Sequence, residues 1–210
     1  RSKPIGVAAG AVCLLLVLIA IGADQLAPHA PDATKFPRMH APSRAYPLGT
    51  DNLFRDIYSR VLIGSRISLG IGFGSVAIGT LMGTLLGLVA GYFRGWPDMI
   101  VSRALDVILG FPPLVLALFI LSIFKTDKGF SAASFMWMSF AIGLIITPTT
   151  ARIVRGSVLG IRSLQYIEAA EAVGSAPSRI ILRHVLPNVM APIIVIASIQ
   201  IGNAILAEAA

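Results

Sequence analysis

The sequence predicts an all-α polytopic membrane protein, a bundle of transmembrane helices. Three observations lead there. Of 210 residues, 56% are hydrophobic and only 13% charged. The mean hydropathy of +0.83 lies well outside the range of soluble globular domains. Five uncharged runs recur along the chain, each near the length of about 20 residues that crosses a hydrocarbon core of about 30 Å as a helix.

The first run, Ile5 to Ala23, is longer than the apolar core of a secretory signal and is followed by no clear small-x-small cleavage site, so it reads as a retained helix. The second, Ile67 to Phe93, lies between Arg66 and Arg94 and holds no charge over 27 residues. That is about 40 Å of helix, which must tilt or protrude. The third is Val107 to Phe124, carrying Pro112 and Pro113; the fourth is roughly Phe130 to Ala151, with Pro148 near its end; the fifth is Val185 to Leu206. Residues 1–23 thus form an N-terminal helix, 24–66 a long polar loop, and 67–210 a helical core containing a polar loop at about 152–184. Short loops are expected at Arg94 to Asp106 and Lys125 to Gly129. The chain starts at Arg1 rather than Met and stops at Ala210 just beyond an apolar run, so both ends read as truncated.

The segment 152–184 carries Arg152, Arg155, Arg162, Arg179 and Arg183 with Glu168 and Glu171. Each central charge costs about 2.5–3.5 kcal/mol to insert, so it is expected in water. Charge alone leaves orientation open. With the N-terminus inside, nine Lys and Arg fall on inner segments and eight on outer ones, too even for the excess that marks cytoplasmic loops.

Composition removes several function classes. The net charge of +7 sits between apolar segments, where lipid head groups are the counter-charge, and no nucleic-acid partner is expected. Cys13 is the only cysteine, so no intrachain disulfide forms. His29, His40 and His184 lack ligand-like spacing. No Gly-Lys pair exists to make an ATP-binding P-loop, and the spans carry no plausible catalytic set. The spans also lack a central ionisable group, the nearest being Asp106 and Glu208 at helix ends; this counts against a stand-alone secondary transporter or channel.

Gly79, Gly83, Gly87 and Gly91 repeat at four-residue spacing, preceded by Gly70, Gly72 and Gly74. Small residues on one helix face let another backbone approach closely in lipid. The spacing predicts a packed face and leaves open whether its neighbour is in this chain or another. Prolines 112, 113, 148, 187 and 192 are tolerated where neighbouring helices or a water-filled cavity satisfy the freed carbonyls; they mark either a pathway or simple kinks.

Tyr166 to Val173 reads as a short helix with Ile167, Ala170 and Val173 on an apolar stripe. Gly174 suits the left-handed residue that ends it, and Pro177 the first position of a second helix. Arg179 and Arg183 share a face there, and Ile180, Ile181 and Val185 supply apolar contacts. The expected product is a helix, a glycine turn and a helix at the membrane surface. Its alanine-rich faces suit docking against a protein better than burial in lipid.

Glu168-Ala169-Ala170, three residues, Gly174, then Leu186-Pro187 after eleven more resembles the EAA motif of the integral membrane subunits of binding-protein-dependent ABC importers. That motif usually has isoleucine where this chain has His184, a substitution familiar in peptide-type permeases. Pro47-Leu48-Gly49-Thr50-Asp51 with Arg55-Asp56, Ser59-Arg60 and Gly64-Ser65-Arg66, then Arg103, Asp106 and Pro112, then Ala151-Arg152 and Val154-Arg155, look like the dipeptide and oligopeptide permease C-type subunit. That subunit usually has glycine where this chain has Phe54, which questions any role for that turn. The resemblance runs from about Tyr46 to Ala210.

The resemblance implies a MetI-like permease with five of six expected spans present, N-terminus and segment 152–184 cytoplasmic, and residues 24–66 outside. It implies a membrane subunit of an importer for short peptides, with nickel complexes or glutathione as alternative substrates. The implied partners are a second permease subunit, two ABC ATPase subunits, an extracytoplasmic substrate-binding protein and the lipid bilayer. No cofactor is expected on this chain, and it is not an enzyme, since ATP hydrolysis falls to the ATPase subunits. Glu168, Ala169, Ala170 and Gly174 would shape the ATPase-coupling surface, and Leu186 and Pro187 would set the return into the membrane. Replacing Ala170 with aspartate or arginine would then uncouple transport without unfolding the chain. The rivals are a secondary transporter working alone and a non-transporting scaffold that recruits a partner through the same loop.

Overall fold

The computed structural model describes residues 4–124 and 131–209. The expected Lys125–Gly129 loop and Phe130 lie outside those residues. The described chain is helical: α1 (Pro4–Ile21), α2 (Ala23–Leu26), α3 (Ile57–Phe93), α4 (Gly95–Leu109), α5 (Pro113–Ile123), α6 (Ala132–Arg162), α7 (Gln165–Ala172), α8 (Pro177–Ile180), a π-helical turn (Ile181–Val185) and α9 (Leu186–Glu208). It divides into two compact units, Arg1–Gly70 and Ile71–Ala210, with the boundary inside α3.

By length and composition, three helices suffice to cross a membrane: Ile57–Phe93, Ala132–Arg162 and the continuous stretch Pro177–Glu208. A fourth crossing is supplied if α4 and α5, bent by 91°, form one broken span. The apolar stretch Gly6–Ile21 of α1 is shorter, and its side chains, Val7, Leu14 and Leu18 among them, are mostly exposed.

In the first unit, residues 27–56 form a loop ordered by side chains. Asp56 directly precedes α3 and accepts hydrogen bonds from the amides of Tyr58 (3.3 Å) and Ser59 (3.2 Å) and from the Ser59 hydroxyl (2.6 Å). This satisfies donors that the first helical turn leaves unpaired. The His29 ring also lies 3.3 Å from the carboxylate. Burial alone pushes the Asp56 carboxyl up, but the bonds from Ser59, His29 and Tyr58 outweigh it and hold it below the usual carboxylate range. The helix therefore starts ten residues before the expected Ile67, and the loop assigned to 24–66 ends at Asp56. A search for uncharged runs excludes Arg60 and Arg66, although arginine is a good helix former.

Phe54 has φ of +62° and Gly49 of +75°. The first is the position where the resemblance calls for glycine, so the backbone keeps the glycine conformation and phenylalanine bears the strain. At Gly49 a β-carbon would also collide with the His40 carbonyl oxygen. Phe54→Gly is expected to leave stability unchanged or raise it by up to about 1 kcal/mol, and Gly49→Ala to lower it by at least about 1 kcal/mol. Thermal unfolding of the detergent-solubilised chain reads both, and equal losses would contradict the strain argument.

In the second unit the glycine face of α3 finds its neighbour within the same chain. A β-carbon on Gly79 would lie 2.6 Å from the Gly143 carbonyl oxygen, on Gly83 2.6 Å from Thr150 Cβ, on Gly87 2.6 Å from the Ala151 carbonyl oxygen, and on Gly91 2.7 Å from Val158 Cβ. The partner residues rise with the glycines, so α3 and α6 run parallel. The chain between them must then return along the bundle, which is the work of α4 and α5. Pro112, extended at φ −55° and ψ 130°, opens α5 at the bend.

Three expected boundaries change. Residues 94–106, expected as a loop, belong mainly to α4; two carboxylates hid it among the uncharged runs, and both pair with α6. Arg152 to Arg162, expected in the polar loop, are the last turns of α6. The second surface helix is the beginning of the last long helix, because Pro177–Glu208 is continuous. Pro187 cannot donate to the Arg183 carbonyl, and the π-helical turn before it absorbs the mismatch without a stop. The Asn188 side-chain Nδ2 donates to the His184 carbonyl at 2.6 Å.

Candidate coupling surface

After α6 ends at Arg162, Ser163 and Leu164 turn the chain into α7. Ile167 is fully buried, and Ala170 packs beside it against Leu88, Tyr92, Val154, Val158, Ile180, Val185 and Val189. Leu186 joins the same cluster from α9. One face of α7 is therefore held on the ends of α3, α6 and α9. Glu168, Ala169, Glu171, Ala172 and Gly174 are exposed, as is Pro187. Val173, expected on the apolar stripe, is 80% exposed, because the helix ends at Ala172 and no longer carries it round to the core side.

Gly174 ends α7 as its sequence context predicts. With φ of +76°, its N–H donates to the Glu171 carbonyl at 2.9 Å and the Ser175 N–H to the Ala170 carbonyl at 3.1 Å. These two bonds make a Schellman turn. A β-carbon at Gly174 would meet nothing within 4 Å, so the backbone conformation alone selects glycine. Pro177 is the first residue of α8, preceded by extended Ala176.

A polar clamp fastens α7 to the bundle, and sequence reasoning missed it. The Tyr92 hydroxyl donates to Glu171 Oε1 at 3.2 Å. Arg162 donates to the Tyr92 carbonyl, stacks its guanidinium 5.1 Å above the Tyr92 ring and places Nε 3.9 Å from Glu171. Tyr92 and Glu171 are 79 residues apart, so no local pattern announces the pair. The Tyr166 ring lies 6.4 Å from that of His184, tilted by 56°.

The arginines of α6 hold α4. Arg155 grips Asp98 with two bonds, Nε to Oδ1 at 2.6 Å and Nη2 to Oδ2 at 2.5 Å, the bidentate geometry that makes such pairs strong. Arg152 reaches Asp106 at 2.7 Å; both of those side chains are half-exposed, so this pair contributes little. Together these features present a small-residue surface on a short, rigidly held helix. That geometry suits the transmission of a docking contact into three long helices.

Residues 83–210 match the family described as the binding-protein-dependent transport system inner membrane component. The chain belongs to this family. Among similar proteins, the glutathione transport system permease protein GsiD of Pectobacterium atrosepticum is 41% identical over 98% of this chain and 66% of its own length. The dipeptide transport system permease protein DppC of Alkalihalophilus pseudofirmus is 41% identical over 82% of this chain and 55% of its own. GsiD of Escherichia coli O157:H7 is 35% identical over 100% of this chain and 67% of its own. The chain thus spans about two thirds or less of the length of these curated relatives.

For this inner membrane component, the family match encloses three of the four packed glycines, Gly83, Gly87 and Gly91, and the whole of α4 to α9. The exposed Glu168, Ala169 and Gly174 lie together on α7 and its turn. Ala170 and Leu186 meet below them at the buried cluster, and Pro187 stands apart on α9.

Proposed function

We propose that this chain is a permease subunit of an ATP-driven importer of short peptides, pairing with a second permease subunit, two ABC ATPase subunits and an extracytoplasmic binding protein. The N-terminus and the α7 surface face the cytoplasm, and residues 24–56 lie outside. The observation that carries this reading is the exposed Glu168-Ala169 face of a helix whose other side, at Ile167 and Ala170, is locked into the ends of α3, α6 and α9. ATP binding brings the ATPase subunits together, α7 moves with them, and the clamp at Tyr92, Glu171 and Arg162 carries the displacement into the bundle. A conformational shift needs a difference in contact energy between its states, and the ATPase subunits supply it. Glutathione, a tripeptide named for two of the relatives above, falls within the same substrate class.

The test is reconstitution of the full complex in proteoliposomes with labelled alanyl-alanine. Uptake that requires both ATP and the binding protein is expected. Uptake by the chain without ATPase subunits overturns the reading in favour of a stand-alone transporter, and absence of any uptake by the full complex overturns transport of short peptides.

A further inference from the structure

We propose that Gln200 and Asn203 form a polar contact site for the backbone amides of the transported solute, in the cavity between α5, α6 and α9; this rests on the permease reading above. The cavity measures about 360 Å³, within the range of small-ligand sites. Pro113 and Ala117 of α5, Ile146 and Thr149 of α6, and Gln200 and Asn203 of α9 are among its lining residues.

Gln200 is only 7% exposed, and its Oε1 accepts one hydrogen bond, from Asn203 Nδ2 at 2.8 Å. Neither side chain makes another hydrogen bond among the described residues. The pair thus keeps the Gln200 amide donors and the Asn203 carbonyl acceptor in reserve. A buried amide with unused capacity is costly in an apolar surrounding, and polar side chains inside a span face a cavity or a pathway more often than lipid. A donor and an acceptor side by side complement a peptide group, which offers one carbonyl and one N–H.

Pro148, one residue before the cavity-lining Thr149 inside α6, cannot donate to the Leu144 carbonyl one turn earlier. Ser198, two residues before Gln200, is different: its hydroxyl is satisfied by the Ile194 carbonyl of its own helix at 2.8 Å, and it does not line the cavity. Two larger cavities among the described residues, about 410 Å³ beside Phe135 and about 460 Å³ beside Leu182, carry no amide side chain.

The test replaces Asn203 with cysteine in a Cys13→Ser background, with Ser198→Cys as control. Each variant is assembled into the full complex in proteoliposomes and exposed to a charged, water-soluble thiol reagent during ATP turnover. Modification of Asn203→Cys, slowed at least several-fold by alanyl-alanine with its binding protein, is expected, with no such protection at Ser198→Cys. Gln200→Leu is expected to lower peptides moved per ATP hydrolysed about tenfold, and Asn203→Gln, which keeps an amide, to retain most of that ratio. Failure of modification, modification indifferent to the dipeptide, or cross-linking of Asn203→Cys to the second permease subunit overturns the site. In each of those cases, uptake by the unmodified complex leaves the permease reading standing.

Discussion

Gly83→Ala is expected to destabilise the chain by about 1–3 kcal/mol through overpacking, and Gly83→Leu to leave no folded chain at all, since typical domains hold only about 5–15 kcal/mol in reserve. A β-carbon at Gly83 meets Thr150 Cβ at 2.6 Å and the Thr147 carbonyl oxygen at 2.8 Å. Neither is the free end of a flexible side chain, so α3 and α6 must separate. In lipid no hydrophobic drive restores them, because the tails are as apolar as the helices; the contact is held by close packing alone. Gly156→Ala and Gly160→Ala supply the controls. There a β-carbon meets nothing within 4 Å, and alanine is expected to gain about 0.5–1 kcal/mol over glycine in a helix. Thermal unfolding of the solubilised chain checks all four, and equal behaviour of Gly83→Ala and Gly156→Ala would refute the packed face.

Ala169→Arg is expected to reduce ATP-driven uptake by at least about tenfold, the factor that corresponds to about 1.4 kcal/mol of lost docking energy, while the permease still folds and inserts. Ala169 is exposed on α7, so on the proposed reading arginine there meets the ATPase surface rather than the buried cluster. Ala170→Asp, which the sequence alone nominates as the same kind of probe, is expected to behave differently. Ala170 packs against the cluster around Ile167 and Val185, and a carboxylate pressed toward that cluster lowers stability before it affects docking. Measuring melting temperature and uptake on both variants separates the two effects. Unchanged uptake in Ala169→Arg would remove the docking role from α7.

The two alanines illustrate how far sequence reaches. Turn chemistry is local: Gly174 ending α7 and Pro177 opening α8 follow from φ preferences and from which amides a helix start leaves unpaired. The glycine repeat is legible for a similar reason, since four residues span about one helical turn. The start of α3 at Ile57 was missed because Arg60 and Arg66 interrupt the apolar run without interrupting the helix, although Asp56 followed by Ser59 was a visible capping signal. The identity of α4 was hidden because Asp98 and Asp106 read as loop charges until Arg155 and Arg152 neutralise them from 57 and 46 residues away.

Phe54 carries the same lesson from the other side. Its side chain argues against a left-handed turn, yet the backbone adopts one, because Asp51 accepts bonds from the Leu53 and Arg55 amides and closes the turn around it. Membrane residence, helical class, the small-residue face and the glycine turn all follow from interactions within a few residues, and so they were present in the sequence. The register of α3 on α6, the grip of Tyr92 and Arg162 on Glu171, and the burial of Ala170 beside the exposed Ala169 depend on contacts between segments tens of residues apart. Only the folded chain, by bringing those segments within van der Waals and hydrogen-bonding distance, decides them.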